Sequence, residues 1–242
     1  MKKITKSLVA ASVLAAMAGS TVAMADATAN IGATSNYVWR GITQSADGSA
    51  ISGGLDYSHE TGIYVGTWAS STAWGSPELD LYGGFAKEFG GVKFDVGAIR
   101  YDYPSQAKYG PGGAGPLAWT EGKIAVSYGP AKLTYGHGND VFGNVGVNSN
   151  YGSLDLTHAI KDDLSVAAHV GYWKFSQALN AGWAIANPVT EAYAKDNFVE
   201  YGVSLTKGEF TFTAAKTTLK KEDYTMDGSA RVYVTYTKSF NL

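Results

Sequence analysis

The sequence contains no cysteine, only 6 prolines among 242 residues, and few charged residues, 17% of the total. The absence of cysteine excludes disulfide bonds and cysteine-ligated metal sites. The net charge is −2 and no basic run occurs, so the chain lacks the positive patch of a nucleic-acid-binding protein. Beyond the first 25 residues, no apolar run approaches the roughly 18 residues that a membrane-spanning helix needs. Any membrane crossing by the rest of the chain would therefore use strands.

The first 25 residues have the pattern of a secretory signal peptide. Lys2, Lys3 and Lys6 precede an apolar stretch over 8–19, and Ala23-Met24-Ala25 offers the small-x-small site that signal peptidase accepts. We expect a signal peptide at 1–25 and one mature domain at 26–242. A single membrane anchor is the alternative, but the apolar stretch is short and no stop-transfer sequence follows it.

Apolar and polar residues alternate with a period of two through nearly all of the mature chain, which indicates strands with one apolar and one polar face. No segment carries a convincing helical stripe. The pattern predicts an all-β fold of about twelve strands, at 29–40, 50–60, 63–70, 78–89, 92–103, 118–128, 131–141, 149–160, 164–176, 197–206, 209–218 and 229–240.

Five short turns predict the register between neighbouring strands, because a hairpin loop decides which residues face each other. The predicted loops are Thr61-Gly62, Gly90-Gly91, Gly129-Pro130, Lys161-Asp162-Asp163 and Lys207-Gly208. The predicted pairs are Leu55 with Trp68, Phe85 with Val96, Val126 with Leu133, Asp155 with His169, and Leu205 with Phe210. In each pair, like faces meet.

Longer connections rich in Gly, Ser, Asn and Pro alternate with these turns, near 41–49, 71–77, 104–117, 142–148, 177–196 and 219–228. An even strand number with alternating short and long connections is typical of a transmembrane antiparallel up-and-down barrel of the bacterial outer membrane. A soluble barrel or sandwich is the alternative, but twelve strands would enclose an interior too wide to fill with Val, Leu and Phe. We therefore expect the apolar face to contact lipid.

Aromatic residues cluster at the strand ends, where outer-membrane barrels carry interfacial girdles. The predicted outer girdle contains Tyr37, Trp39, Trp68, Tyr135 and Tyr172, and the periplasmic girdle contains Tyr57, Phe89, Tyr128, Phe210 and Phe240. Small residues of the apolar face, Gly53, Gly66 and Gly83, would lie against lipid.

One segment carries a specific resemblance. Ser35-Asn36-Tyr37-Val38-Trp39-Arg40-Gly41-Ile42-Thr43-Gln44-Ser45, followed by 51–57 and 66–70, resembles the TorF-family porins. This resemblance implies an outer-membrane barrel with a transport function in Gram-negative bacteria. It implies no established substrate and no catalytic residue.

The polar face would line the lumen, and its ionisable residues are the candidate pore-lining residues. They are Arg40, Asp56, Asp80, Lys93, Asp95, Glu121, Lys123, Lys132, Asp155, His169, Glu200 and Arg231. Because charge at the pore wall sets which ions enter, their near balance predicts weak selectivity that favours cations or zwitterions. Alternatively, these charges pair between neighbouring strands and brace the wall.

The sequence thus predicts an outer-membrane porin through which small polar solutes diffuse passively. The expected partners are outer-membrane lipid, those solutes and the outer-membrane assembly machinery, with no nucleic acid and no cofactor. One alternative is a closed structural or adhesive barrel, plugged by its own side chains or loops. A second is an outer-membrane hydrolase in which His169 and Asp155 activate Ser153. No histidine spacing predicts a metal site.

Overall fold

The computed structural model describes residues 26–73, 75–106, 117–143, 146–176, 196–219 and 228–242. Fourteen strands occur in this part of the chain. They are β1 (Asp26–Thr34), β2 (Val38–Trp39), β3 (Ile42–Thr43), β4 (Ala50–Ser58), β5 (Ile63–Ser70), β6 (Glu78–Phe89), β7 (Val92–Asp102), β8 (Trp119–Tyr128), β9 (Ala131–Asn139), β10 (Ser149–Lys161), β11 (Leu164–Phe175), β12 (Asn197–Lys207), β13 (Phe210–Thr217) and β14 (Arg231–Asn241). Single 3-10 turns occupy Pro104–Gln106 and Val141–Gly143.

Twelve of these strands form one closed antiparallel barrel, in which β1 and β4 to β14 each pair with their neighbours around the ring. The ring closes where β1, the first described strand, pairs with β14, and the Leu242 amide donates to the Ala27 carbonyl there. Closure gives each of these twelve strands a partner on both sides, as a barrel in lipid requires. The predicted all-β, twelve-stranded up-and-down barrel is confirmed.

The outer face of the barrel is apolar and uncovered. Large aliphatic and aromatic side chains alternate outward on every wall strand, and Ile51 and Val232 are 71% and 81% exposed. Water-soluble monomers rarely expose apolar surface on this scale. The arrangement is that of an outer-membrane barrel, whose apolar band contacts lipid. Within the described residues, no helix is long and apolar enough to span a membrane.

Three of the five predicted turns have the predicted register. Across them, Phe85 pairs with Val96, Val126 with Leu133, and Asp155 with His169. At the turn after β12, the prediction is wrong by two residues, because the loop is Gly208-Glu209 and Leu205 pairs with Phe212. A shift of two preserves the faces, so the inward and outward residues of β12 and β13 remain as expected.

At the turn between β4 and β5, the predicted register is wrong by one residue. The His59 amide donates to the Ile63 carbonyl, so the loop between them contains the three residues Glu60, Thr61 and Gly62. Gly62 adopts a positive φ of 105° in this loop. Leu55 therefore pairs with Thr67 instead of Trp68, and every side chain of β5 changes face. Trp68 and Gly66 point into the barrel, which corrects their placement in the outer girdle and against lipid.

The first predicted strand, 29–40, also differs. β1 leaves the wall after Thr34, and β2 and β3 pair only with each other. The predicted signal peptide at 1–25 lies outside the described residues, as do most of the long connections 104–117, 177–196 and 219–228.

Candidate functional site in the barrel lumen

The segment 36–47 forms a small hairpin, which we call the lumen hairpin. Val38 pairs with Thr43 and Trp39 with Ile42, so Arg40 and Gly41 form a two-residue loop. Both have positive φ, 47° and 74°, as a type I′ turn requires. This turn places the Arg40 side chain at the tip of the hairpin.

Side chains fix the base of the lumen hairpin. Asn36 accepts a hydrogen bond from the Thr43 hydroxyl at 2.7 Å and donates to Asp47 Oδ1 at 2.7 Å. Asp47 Oδ1 also accepts from Arg231 Nε on β14, at 2.6 Å. The hydrogen bond from Arg231 lowers the pKa of Asp47 below its ordinary value. Hydrogen bonds therefore link the two strands of the hairpin at its base and connect the base to the barrel wall.

The lumen hairpin lies inside the barrel, packed among inward-facing aromatic side chains near the long-connection end. Trp39 is 6% exposed and makes edge contacts with Tyr101 and Trp173, at centroid distances of 5.5 and 5.0 Å. The cluster around it contains Tyr37, Ile42, Tyr101, Tyr103, Trp119, Val141, Phe142, Tyr151, Trp173, Phe175 and Phe198. Tyr37 and Trp39 therefore fill the lumen, which corrects their predicted place in the outer girdle.

The tip of the hairpin reaches the far wall. Arg40 Nη2 donates to Glu121 Oε1 on β8 at 2.6 Å, and both side chains are almost completely buried. The guanidinium also lies over the rings of Tyr151 and Trp39, 3.8 and 4.4 Å from their centroids. Such contacts are strongest when the cation is removed from water.

Glycine at position 41 permits this close approach. A Cβ built there would touch the Thr217 methyl group on β13 and lie 3.0 Å from the Glu200 Cβ on β12. The hairpin thus contacts the wall on opposite sides, and it occupies the cross-section that a solute would use. The predicted passage for solutes is narrowed at this end, because residues 36–47, predicted in part as a wall strand, enter the lumen instead.

The other candidate pore-lining residues lie on the inner face of the wall. Asp80, Asp95, Glu121, Lys123, Glu200 and Arg231 are buried, and Asp56, Lys93, Lys132, Asp155 and His169 are half-buried. Most of the buried ones have a partner. Asp95, for example, accepts from Lys123 at 3.2 Å and from the Tyr64 hydroxyl at 2.7 Å. At Asp95, therefore, the lumen charges pair between neighbouring strands, as the alternative interpretation of the candidate pore-lining residues expects.

His169 lies between two carboxylates. Its Nδ1 is 2.6 Å from Asp155 Oδ1, and its Nε2 is 3.0 Å from Glu200 Oε1, which also accepts from the Tyr151 hydroxyl. Both ring nitrogens are therefore occupied by carboxylates. A serine hydrolase needs one of them against the nucleophile, so this arrangement does not activate Ser153.

The charges are distributed unevenly around the lumen. Asp56 on β4 and Glu78 and Asp80 on β6 face inward, whereas Lys93, Lys123 and Lys132 lie on β7 to β9. Sequence analysis missed Glu78, although it has the same parity as Asp80 on one predicted strand. Glu78 accepts hydrogen bonds from Tyr37 at 2.9 Å and from Tyr103 at 2.8 Å. Burial and the charge of Glu78 raise the pKa of Tyr37, so its hydroxyl stays a donor.

No cluster suited to a metal is found in the part of the chain that the structure describes: nowhere there do three or more His, Cys, Asp or Glu side chains converge. The described part of the lumen presents charge pairs, hydroxyl donors and aromatic rings. Groups of these kinds bind and select polar solutes in other proteins.

Comparison with known proteins gives a family and a fold. A family model described as a bacterial protein of unknown function (Gcw_chp) matches residues 16–240. No curated protein matches the chain. The solved NanC porin aligns with a TM-score of 0.52 at 11% identity, over 89% of this chain and all of that one.

Two further solved structures are similar. One comes from work on the in-meso crystallization of membrane proteins, with a TM-score of 0.52 at 7% identity over 90% of this chain and 84% of that one. The outer-membrane protein OprD from Pseudomonas aeruginosa aligns over 81% of this chain and 60% of that one, at 12% identity and a TM-score of 0.42. At these identities the likeness concerns the fold alone.

Proposed function

The chain belongs to the Gcw_chp family of bacterial proteins of unknown function, and from its porin-type fold we propose that it is an outer-membrane channel for small polar solutes. The signal peptide predicted at 1–25 would export the chain, and the long connections would face the cell exterior. The narrower assignment to the TorF-family porins remains a prediction from the motif at 35–45. Outer-membrane lipid, small polar solutes and the assembly machinery are the proposed partners.

The observation that supports a channel is the contrast between the two faces of the wall. The outward face carries large apolar side chains on every wall strand, while the inward face carries charged residues on most strands. A barrel that served only as a scaffold would not need charged groups along its interior, where each is costly unless it is paired. We propose that the candidate pore-lining residues contact the solute and that its gradient drives the flux.

The lumen hairpin adds a gate to this proposal. It is held by polar contacts at its tip and base and by the packing of Trp39 among aromatic side chains, and the hairpin itself contributes no strand to the wall. Its displacement would therefore open the lumen without breaking the barrel. Opening of a packed, lid-like segment of this kind falls in the microsecond to second range.

A closed barrel is the second candidate, and the filled long-connection end favours it. One experiment separates the two. Gly41→Cys and Thr217→Cys would place two thiols in contact in a protein that has no other cysteine. A disulfide needs its Cβ atoms within about 4 Å, so the two residues are close enough. Because a Cβ at position 41 would overlap the Thr217 methyl group at a positive φ, the turn must shift, and the Gly41→Cys single variant measures how far that shift alone opens the lumen.

We expect the reduced double variant to conduct in planar bilayers and the oxidised one to be silent, because the disulfide fixes the hairpin in the lumen. The two single-cysteine variants serve as controls and should ignore the oxidant. If the folded wild-type and reduced proteins are both silent, the closed barrel is correct. Equal conductance in both redox states would show that solutes bypass the hairpin.

A further inference from the structure

Asp80 is a buried carboxylate without a partner. It points into the lumen from β6 and is 1% exposed. Neither of its oxygens accepts a hydrogen bond, and neither is accessible to solvent. A carboxylate removed from water in this way costs free energy unless a cation or donor compensates it.

The other buried acids among the described residues all have partners. Glu78 accepts from two tyrosines, Glu121 pairs with Arg40, and Asp95 pairs with Lys123. Glu200 accepts from Tyr151. Asp80 differs from all of them, although it lies only two residues from Glu78 on the same face of one strand. The chain thus compensates every buried acid of its described part except this one.

The neighbours of Asp80 suggest what would compensate it. Across the sheet it pairs with Trp68 on β5 and with Tyr101 on β7, and residues paired in this way have their Cβ atoms about 5 Å apart. No Lys or Arg of the described residues points inward from β4, β5 or β6. An aromatic ring on each side of an unpaired carboxylate is the chemistry that recognises an organic ammonium group.

The same lumen already holds one cation by this chemistry. The Arg40 guanidinium pairs with Glu121 and lies against Tyr151, Trp39 and Trp173, with the last centroid 4.7 Å away. A divalent metal fits Asp80 poorly, because Ca²⁺ and Mg²⁺ need about six oxygen ligands. Asp80 has no second free carboxylate beside it, since Glu78 is occupied by Tyr37 and Tyr103.

We propose that Asp80, flanked by Trp68 and Tyr101, binds the organic ammonium group of a solute inside the lumen. This inference rests on the proposed channel function and names the class of its substrate. The lumen hairpin covers the site, since Tyr37 makes an edge contact with Trp68 at 5.5 Å and bonds the neighbouring Glu78. The ammonium group and Tyr37 therefore compete for the same space beside Trp68 and Asp80.

Choline is a suitable probe, with its uncharged isostere 3,3-dimethylbutan-1-ol as the matched ligand control. Binding is measured by isothermal titration calorimetry on the folded protein in detergent, which requires no flux. We expect Asp80→Asn to weaken choline binding by about tenfold or more, equivalent to the loss of one strong contact. Asp102→Asn makes the same chemical change on the outer face of the neighbouring strand β7, where Asp102 pairs with Leu79, and should leave the affinity within about twofold.

Two further variants test the aromatic ring of Trp68 and the lumen hairpin that covers the site. Trp68→Leu should weaken choline and leave the isostere unaffected, since the ring face acts on the charge. Tyr37→Phe removes the hydrogen bond to Glu78 and should strengthen choline binding, because it loosens the cover. Far-UV circular dichroism verifies folding, and Asp80→Asn should raise the unfolding midpoint because it removes an uncompensated charge.

Unchanged choline affinity in Asp80→Asn, absence of choline binding in the wild type, or equal binding of the isostere would each overturn the inference. If choline binding depends on Asp80 but Na⁺ or K⁺ binds with equal affinity, the site binds inorganic cations, and the proposal of an organic ammonium ligand is wrong. Failure of the channel function has a different signature, because bilayers would then be silent while calorimetry still reported the state of the Asp80 site.

Discussion

Arg40 and Glu121 form an ion pair across the interior of the barrel, between the tip of the lumen hairpin and strand β8, at 2.6 Å. Both side chains are almost completely withdrawn from solvent, and 81 residues separate them in sequence. Breaking a buried pair by removing one partner leaves the other charge uncompensated. This pair is therefore the contact on which docking of the hairpin depends most directly.

Arg40→Ala should undock the lumen hairpin, at a cost of about 3–5 kcal/mol to the docked state. We expect the barrel to remain folded and the open probability in planar bilayers to rise. Arg100→Ala is the matched control, because Arg100 is an exposed arginine on the outer face of β7. Unaltered gating in Arg40→Ala would contradict the role of the ion pair.

Trp39→Ala should weaken docking of the lumen hairpin through a loss of packing, whereas Arg40→Ala does so through a loss of charge. Loss of the ring leaves a cavity between Tyr101 and Trp173, and such truncations cost about 3–5 kcal/mol in well-packed sites. Limited proteolysis should then cleave within 36–47 faster than in the wild type. Phe94→Ala, on the exposed outer face, should leave that rate unchanged.

The contact between Asp47 and Arg231 makes docking sensitive to acid. The pKa of Asp47 is lowered in the folded protein, mainly because Arg231 donates a hydrogen bond to it. The stabilisation is therefore complete above the ordinary Asp value of about 4 and is lost only as the pH falls through the lower folded value. We expect channel opening on acidification below about pH 4 and none between neutral pH and about 5.

Asp47→Asn removes the group that titrates, so this variant should lose that acid transition in bilayer recordings. A wild-type transition with its midpoint above pH 5, retained in Asp47→Asn, would assign the acid response to a different group.

A charge on the outer face should destabilise the barrel in lipid. Leu133 is 60% exposed on β9, and an arginine at the bilayer midplane costs a barrel about 2–4 kcal/mol. Urea unfolding in lipid vesicles should show this loss for Leu133→Arg. Thr157→Arg, on the inner face of β10, should cost much less. Equal losses would argue against an outer face in contact with lipid.

The period of two in the sequence was sufficient to predict most of the wall. Side chains of a strand alternate by geometry, so Val92 to Ala98 could be assigned to faces without knowledge of any partner. Turns were predictable where two glycines or Gly-Pro left one plausible loop, as at Gly90-Gly91. At Thr61-Gly62 the loop holds one residue more, and that difference exchanged the faces of β5 and moved Trp68 from lipid to lumen.

Amino-acid sequence alone determined that this chain forms an antiparallel barrel of twelve strands, because alternation and turn spacing are local properties. It could not determine the course of 36–47. Tyr37, Val38 and Trp39 suit a lipid-facing strand as well as a packed interior, since a β-forming aromatic side chain is apolar in both settings.

Only the tertiary structure decided between the two. The groups that hold the hairpin inward, Glu78, Tyr101, Glu121 and Trp173, come from strands β6, β7, β8 and β11 and meet only when the barrel closes. The unpaired state of Asp80 is likewise a property of the assembled lumen, because a missing partner can be recognised only once all neighbours are in place.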